Sequence, residues 1–448
     1  MSKYWFFLLI VFSSLYTSAQ PGFNTEYDIG GVFSQARSVL ISNDTVVIYG
    51  SVWDQDSARH GRVIIQMDTF GQVLRQRIFF DSLGRSYSTS RGFAMIDLSD
   101  ESGYLVTGTI GIGNGFVAKF GRNLELLWIK EYELPNANRN TYNHLLETPY
   151  GILLSGSAEQ TQSPVRRFGL LMLLDGQGEI KWRKKYFAPN PKRWSGLNSA
   201  SIRGNNEFII GGVRNLSLGT LESEWDWQTW IFAVDSLGTT LWEWHTPPGL
   251  AESGVRGEFI HGEDGDFVYY SYDWEYQSPP NIWYRRFLLI SRDSNFQQKK
   301  RIPLGELSSW YGNFLNGVCL THSNNLIGVG QTYWGIEGLP FKGTLDINAI
   351  TGWILDPGLD SGTPWQRFDT AYWSQAQFDN EWGDLFRFAG SYNAFAHAAD
   401  LPSGSIIAVG YSTEYTPQEH RRAWVIKVSK DGCLDTLYCG ALVDTEEA

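Results

Sequence analysis

Carboxylates set among aromatic rings are the side chains of this sequence best suited to chemistry. Asp54 and Asp56 follow Trp53, and Glu222, Glu224 and Asp226 interleave with Trp225 and Trp227. Asp273 and Glu275 alternate with Trp274 and Tyr276, Glu337 follows Trp334, and Trp194, Trp283, Trp310 and Tyr333 stand in similar stretches. Flat rings beside hydrogen-bonding acids suit sugar rings or peptide side chains. Two such acids about 5–10 Å apart would instead serve as acid and base in glycan hydrolysis. Rings left in water are costly unless they pack or bind something, so the plain alternative is a lid of rings packed loop against loop. The candidate ligand-binding residues are therefore Trp53, Trp194, Trp225, Trp227, Trp274, Tyr276, Trp310 and Trp334.

Other chemistry finds little support. The sequence holds no Gly-x-Ser-x-Gly elbow, no Gly-x-x-x-x-Gly-Lys phosphate loop and no His-Glu-x-x-His. Its seven histidines (His60, His144, His245, His261, His322, His397 and His420) are scattered without ligand spacing, so no metal centre is expected. A ring-shaped fold can still bring distant residues together. Glu263-Asp264-Gly265-Asp266 offers oxygen ligands of the kind calcium takes, but reads more simply as a turn between strands. Of three cysteines, Cys433 and Cys439 are close enough to bridge in an oxidising compartment. Cys319 sits in an alternating run and reads as a buried apolar side chain. A net charge of −12 argues against nucleic acid, whose phosphates need clustered Lys and Arg.

The elements that must carry these residues repeat. Phe116–Trp128 (FVAKFGRNLELLW) is an alternating strand, a tight turn and a second strand ending in tryptophan. Leu170–Trp182 and Ile231–Trp244 repeat it, and weaker copies begin at Val63, Phe287 and Trp424. An apolar run, then Asp-x-x-Gly, then a strand signals a hairpin. Each hairpin is preceded by a strand pair whose second member carries a late glycine: Gly50, Gly108, Gly156, Gly212, Gly330 and Gly410, with Tyr270 in the equivalent place. Units of four short strands at a period of roughly 50 residues predict an all-β, seven-bladed β-propeller with four-stranded antiparallel blades. Aromatic content of 15 % against 19 % charged agrees with pleated surfaces rather than helices.

The units run over about 31–85, 86–136, 137–190, 191–250, 251–306, 307–390 and 391–440. The last lacks a fourth strand after Asp431-Gly432, and Phe23–Ile29 (FNTEYDI) is similar to the fourth strands. The N-terminal strand is therefore expected to close the ring, removing two exposed edges. Glycines in the second strands suit the crowded region near the channel, where backbones approach closely. The sixth unit carries an insertion, 356–387, rich in Asp, Gln and aromatics. Long loops in compact folds are often functional, and a divergent blade edge is the alternative. Loops joining strands two to three, and one blade to the next, emerge on one face, and the candidate aromatics are assigned to them.

Residues 1–19 read as a secretory signal peptide: Lys3, the apolar stretch Trp5–Leu15, and small Thr17-Ser18-Ala19 before Gln20. That stretch is too short to span a membrane, and no later run approaches the necessary length. Residues 20–440 then form the propeller and 441–448 a C-terminal tail. The module Asp-x-x-Gly-x-x-x-Trp at Asp175–Trp182 and Asp235–Trp242 resembles the repeat of quinoprotein-type propellers, and that of the propeller lipoprotein of the outer-membrane assembly machinery. Trp424–Gly440 (WVIKVSKDGCLDTLYCG) resembles the end of secreted Bacteroidetes propeller proteins, which a type IX secretion sorting domain usually follows. None follows before Ala448, which leaves the export route open.

Asp-(Ser/Thr)-apolar triplets at Asp44, Asp56, Asp81, Asp235, Asp369 and Asp435 resemble the O-glycosylation sequon of that phylum, and are also ordinary turn sequences. The adjacent cysteines of many quinoprotein dehydrogenases have no counterpart, so no cofactor is expected. Thr17–Gln20 holds no cysteine to carry a lipid. The expectation is a secreted or outer-surface monomer that binds glycan or an extracellular protein on its aromatic face, without catalysis. The alternatives are an extracellular glycan hydrolase using loop carboxylates, and a structural or assembly role in the cell envelope.

Overall fold

A computed structural model describes residues 22–27, 29, 33–54, 58–88, 94–111, 113–160, 166–187, 194–204, 206–215, 227–247, 254–255, 260–261, 266–277, 282–309, 314–320, 326–331, 334–335, 344–345, 353–355, 394–414 and 420–428. All regular structure among them is β. The first sheet runs Phe33–Ser42, Thr45–Asp54, Arg59–Met67, Val73–Phe79, each strand antiparallel to the next. In the second, Tyr87–Ser88 and Met95–Asp97 both pair Tyr104–Ile110, followed by Asn114–Phe120 and Leu126–Tyr132. The third comprises Ala137–Thr148, Gly151–Gln160, Arg166–Leu174 and Ile180–Tyr186. The fourth comprises Ser195–Arg203, Glu207–Asn215, Trp227–Val234 and Thr240–His245. The fifth is Ile260–His261, Phe267–Gln277, Ile282–Arg292 and Gln298–Ser309. Phe314–Leu320, Leu326–Gln331 and Trp353–Leu355 form a three-stranded sheet beside the short pair Trp334–Gly335 and Thr344–Leu345.

The last sheet is Ala394–Asp400, Ile406–Glu414 and His420–Val428, and its outermost strand comes from the other end of the chain. Phe23–Tyr27 pairs antiparallel with His420–Val428, from Phe23 opposite Lys427 to Tyr27 opposite Ala423. One parallel bridge, Phe33 to Arg421, joins this sheet to the first. The first strands touch in succession: Phe33–Ser42 meets Met95–Asp97, which meets Ala137–Thr148, then Ser195–Arg203, then Ile260–His261. Ile282–Arg292 of the fifth sheet meets Phe314–Leu320, which meets Ala394–Asp400, and that strand returns to Phe33–Ser42. Four-stranded antiparallel meanders set around one axis in this way make a β-propeller.

The cores lie between sheets rather than within one. Successive side chains on a strand point to opposite faces, so a middle strand clamped between two neighbours must be apolar at every position. Val46 and Ile48 pack toward the last sheet with Val409 and Val425, whereas Val47 and Tyr49 pack toward the second with Val106 and Phe116. Leu154, Leu170 and Met172 face the second sheet, and Leu153, Leu171 and Leu173 face the fourth. The outermost strands turn one face to water and keep Lys, Arg and Glu there, as in Ile180–Tyr186 (IKWRKKY).

Each Asp-x-x-Gly turn is built by its aspartate. Asp175 Oδ1 accepts the N–H groups of Gln177 and Glu179, both at 2.8 Å, and Asp235 Oδ1 accepts those of Leu237 and Thr239 at 2.9 and 2.7 Å. Gly178 and Gly238 then take φ of 79° and 72°, and the register slips by one residue just inside the turn, the signature of a type I turn closed by a bulge. A tyrosine from the preceding sheet locks the turn. Tyr132 Oη donates to Gly178 O at 2.8 Å, Tyr186 Oη to Gly238 O at 2.7 Å, and Tyr27 Oη to Gly71 O at 2.6 Å. The indoles of Trp128 and Trp182 lie against the same two glycines, where a Cβ would meet them at 2.8 and 3.0 Å. The tryptophan of the repeat therefore clamps one sheet to the next.

Second-strand glycines face bulges. Gly50, Gly156, Gly212, Gly330 and Gly410 pair with Ala36, Tyr142, Leu197, Leu315 and Phe395, and in each case the next first-strand residue is skipped. A Cβ on Gly50, Gly156 or Gly212 would stand 2.1, 1.9 or 2.3 Å from a first-strand carbonyl oxygen. Only glycine fits opposite these bulges. The leader 1–19, the insertion 356–387, Cys433, Cys439 and the tail 441–448 lie outside the described residues. Cys319 lies on Phe314–Leu320, its backbone opposite Ile327.

Candidate functional site

The residues expected in one aromatic loop face do not share one setting. Trp53 is the last but one residue of its strand, half-buried, and its ring lies 4.3 Å from that of His60 on the paired strand. Trp274 and Tyr276 are strand residues rather than loop residues, with backbones opposite Arg285 and Trp283. Asp273 and Glu275 are likewise within that strand, because pairing of Phe267–Gln277 with Ile282–Arg292 runs its full length. Apolar and aromatic content extends these two strands where the charged residues suggested a loop. Trp227 opens its strand, half-buried, opposite Asn215, and Trp334 sits in a two-residue strand opposite Leu345. Trp225 and Trp310 lie outside the described residues, as do Asp56, Glu222, Glu224, Asp226 and Glu337.

Trp194 is different. It precedes the buried Ser195, which opens the fourth sheet, and 45 % of its surface is exposed. Its backbone is fixed, because Asn215 N donates to Trp194 O at 2.9 Å. Its ring is backed by a cation, with the Arg167 guanidinium carbon 5.3 Å from the ring centroid. Arg167 is in turn held by Ser157 Oγ, at 3.2 Å from Nε and 3.0 Å from Nη2. Strands of the third sheet therefore hold a tryptophan of the fourth upright with one face toward solvent.

Two histidines of different sheets, His144 and His397, are electrostatically coupled. The bulge at Asn143 places His144 opposite Ser155, and the bulge at Ala396 places His397 opposite Val409. His397 Nδ1 accepts the Val39 N–H at 3.1 Å, which leaves the proton of the neutral ring on Nε2. Burial pushes both imidazoles down to about 4, and His397 adds its repulsion to the depression at His144. No local spacing announces this pair. Among the described residues no group of three or more His, Cys, Asp and Glu side chains converges. Asp266, the described member of the acidic run 263–266, pairs with Lys299 at 2.5 Å.

Sequence reading also missed the bulge asparagines. Asn143 Nδ2 donates to Leu197 O of the next sheet at 3.0 Å, and Asn198 Nδ2 donates at 2.6 Å to Val255 O, in the segment between the fourth and fifth sheets. The recurrence of Tyr142-Asn143, Leu197-Asn198 and Leu315-Asn316 at one place in the repeat was the available signal.

No protein-family model matches the chain, and no curated protein matches it in sequence. Solved structures do. An ulvan lyase of a new polysaccharide lyase family, bound to an oligosaccharide of glucuronate and sulfated rhamnose, is 10 % identical, covering 92 % of this chain and 99 % of that one with a TM-score of 0.52. The β-propeller domain of the trilobed protease from Pyrococcus furiosus, described as having an open velcro topology, is 8 % identical over 93 % and 98 % of the two chains, with a TM-score of 0.46. A protein of unknown function from Bacteroides caccae is 14 % identical over 73 % and 90 %, with a TM-score of 0.38. At such identities the likeness is one of fold.

Proposed function

We propose that the chain is an exported recognition module, a monomeric propeller of seven blades closed by its N-terminal strand, that binds glycan on the face carrying Trp194. One observation carries the reading. Trp194 keeps 45 % of its surface open while Arg167 lies over its ring, so a flat apolar ring backed by a cation is presented to solvent. Stacking on the apolar face of a sugar ring uses that arrangement. Trp53 and Trp227, both half-buried, would line the same side as packing residues rather than as contacts. The pairing of Phe23–Tyr27 with the last sheet supports closure of the ring, and the succession of first-strand contacts supports seven blades.

The test is a glycan array probed with residues 20–448 and with Trp194→Ala. Binding that falls at least tenfold in the variant supports the reading. A folded protein that binds no glycan sinks it and moves an extracellular protein partner to first place.

A further inference from the structure

Arg62 is the one charged side chain buried among the described residues of the first sheet. It stands opposite Ser51, the residue after the second-strand glycine. The same third-strand position holds Gly115, Gly169, Thr229, Leu288 and Ala423 in other sheets. At Gly115 and Gly169 there is no room for more, since a Cβ would meet Tyr142 at 2.2 Å and Leu197 at 2.7 Å. In the first sheet a full arginine occupies that interior place, and it is 0 % exposed.

Among the described residues, its surroundings do not neutralise it. The guanidinium carbon lies 5.9 Å from the Tyr49 ring centroid and 6.0 Å from that of Tyr87, so aromatic surface covers its faces. Nε, Nη1 and Nη2 have no hydrogen-bond acceptor among the described residues. Tyr49 Oη donates to Thr107 O at 3.3 Å and accepts no hydrogen bond from the guanidinium. The titratable groups coupled to Arg62 are a second cation, Arg37, with His60 and the two neutral tyrosines, and no described carboxylate is among them. A guanidinium does not shed its proton in a protein, and an unpaired buried charge is strongly unfavourable. Its in-plane N–H fork matches the two oxygens of a carboxylate or sulfate.

We propose that Arg62, with Arg37 as the second cation acting on it, forms an anion site between the first and second sheets that takes an oxyanion, carboxylate or sulfate, supplied either by a free ion or by the acidic group of a sugar. The site stands apart from the Trp194 face, and each can fail without the other. Thermal unfolding of residues 20–448 at constant ionic strength, with sodium chloride exchanged for acetate, sulfate or glucuronate, tests it. The wild type is expected to gain several degrees in a saturable way, as a ligand of the folded state requires. Arg62→Met, which removes a buried unpaired charge and keeps the volume, is expected to fold and to show no such gain. Should that variant fail to fold, Arg37→Gln is the second probe, with a half-saturating concentration raised several-fold. Saturation by glucuronate at a concentration tenfold below acetate and sulfate assigns the oxyanion to an acidic sugar, and equal concentrations assign it to a free ion. A wild type indifferent to all three anions overturns the proposal, as does an Arg62→Met protein that responds like the wild type.

Discussion

His144 and His397 are expected to weaken the folded state in acid. Both imidazoles are held neutral, pushed from 6.5 to about 4 chiefly by burial. The unfolded chain binds protons more readily than the folded one between those values, so stability is complete above pH 6.5 and falls as pH drops toward 4. Each fully realised shift corresponds to roughly 3 kcal/mol, less for the half-buried His397. Urea midpoints between pH 7 and pH 4.5 should therefore fall steeply in the wild type and less in His144→Gln. An unchanged slope in that variant would remove His144 from the account. Asp81 acts in a separate window. Arg85 holds its carboxyl below the ordinary 3.8, so its contribution is lost only at lower pH.

At the scale of elements, two devices repeat and each predicts a cost. The tyrosine locks join one sheet to the turn of the next through part-buried or buried hydrogen bonds. Tyr132→Phe and Tyr186→Phe should each cost about 1 kcal/mol in denaturant unfolding, the worth of one such bond. The glycine opposite each bulge has less latitude. A Cβ on Gly156 would sit 1.9 Å from the Thr141 carbonyl oxygen, so Gly156→Ala must move backbone and should cost about 3 kcal/mol or more. Gly176→Ala, with nothing within 4 Å of its Cβ, serves as the control and should be close to neutral. Equal losses at the two glycines would refute the bulge argument.

For the whole molecule, the strand Phe23–Tyr27 matters out of proportion to its length. It covers the edge of His420–Val428, packs Phe23 and Tyr27 on the core shared by first and last sheets, and donates the Tyr27 bond to the Gly71 turn. Removing residues 20–29 exposes a strand edge and two core side chains together. The shortened chain should melt roughly 10 °C lower and associate as its concentration rises, which differential scanning calorimetry and light scattering would detect. A melting temperature equal to that of the longer chain would mean that the last sheet is stable without its N-terminal partner.

The sequence by itself determined the repeat, because its marks are local. Asp-x-x-Gly makes its turn within four residues, and an apolar run reads as a strand clamped on both faces. Even there the stretch Phe116–Trp128 departs in detail, since its turn uses Leu124 at φ 65°, as the copy from Phe287 uses Phe296 at 63°, where Gly71, Gly178 and Gly238 serve in other copies. What the tertiary structure alone decided is which distant side chains meet and which rings stay in water. Trp53 and Trp194 look alike in sequence, yet one packs on His60 and the other is held open by an arginine from the neighbouring sheet. His397 acts on His144 from another sheet, and Arg62 is flanked by a tyrosine of its own sheet and one of the next, because sheets both distant and consecutive in the chain pack around a common axis. Residue spacing along a strand fixes a face, and only the rotation of one sheet on the next fixes a neighbour.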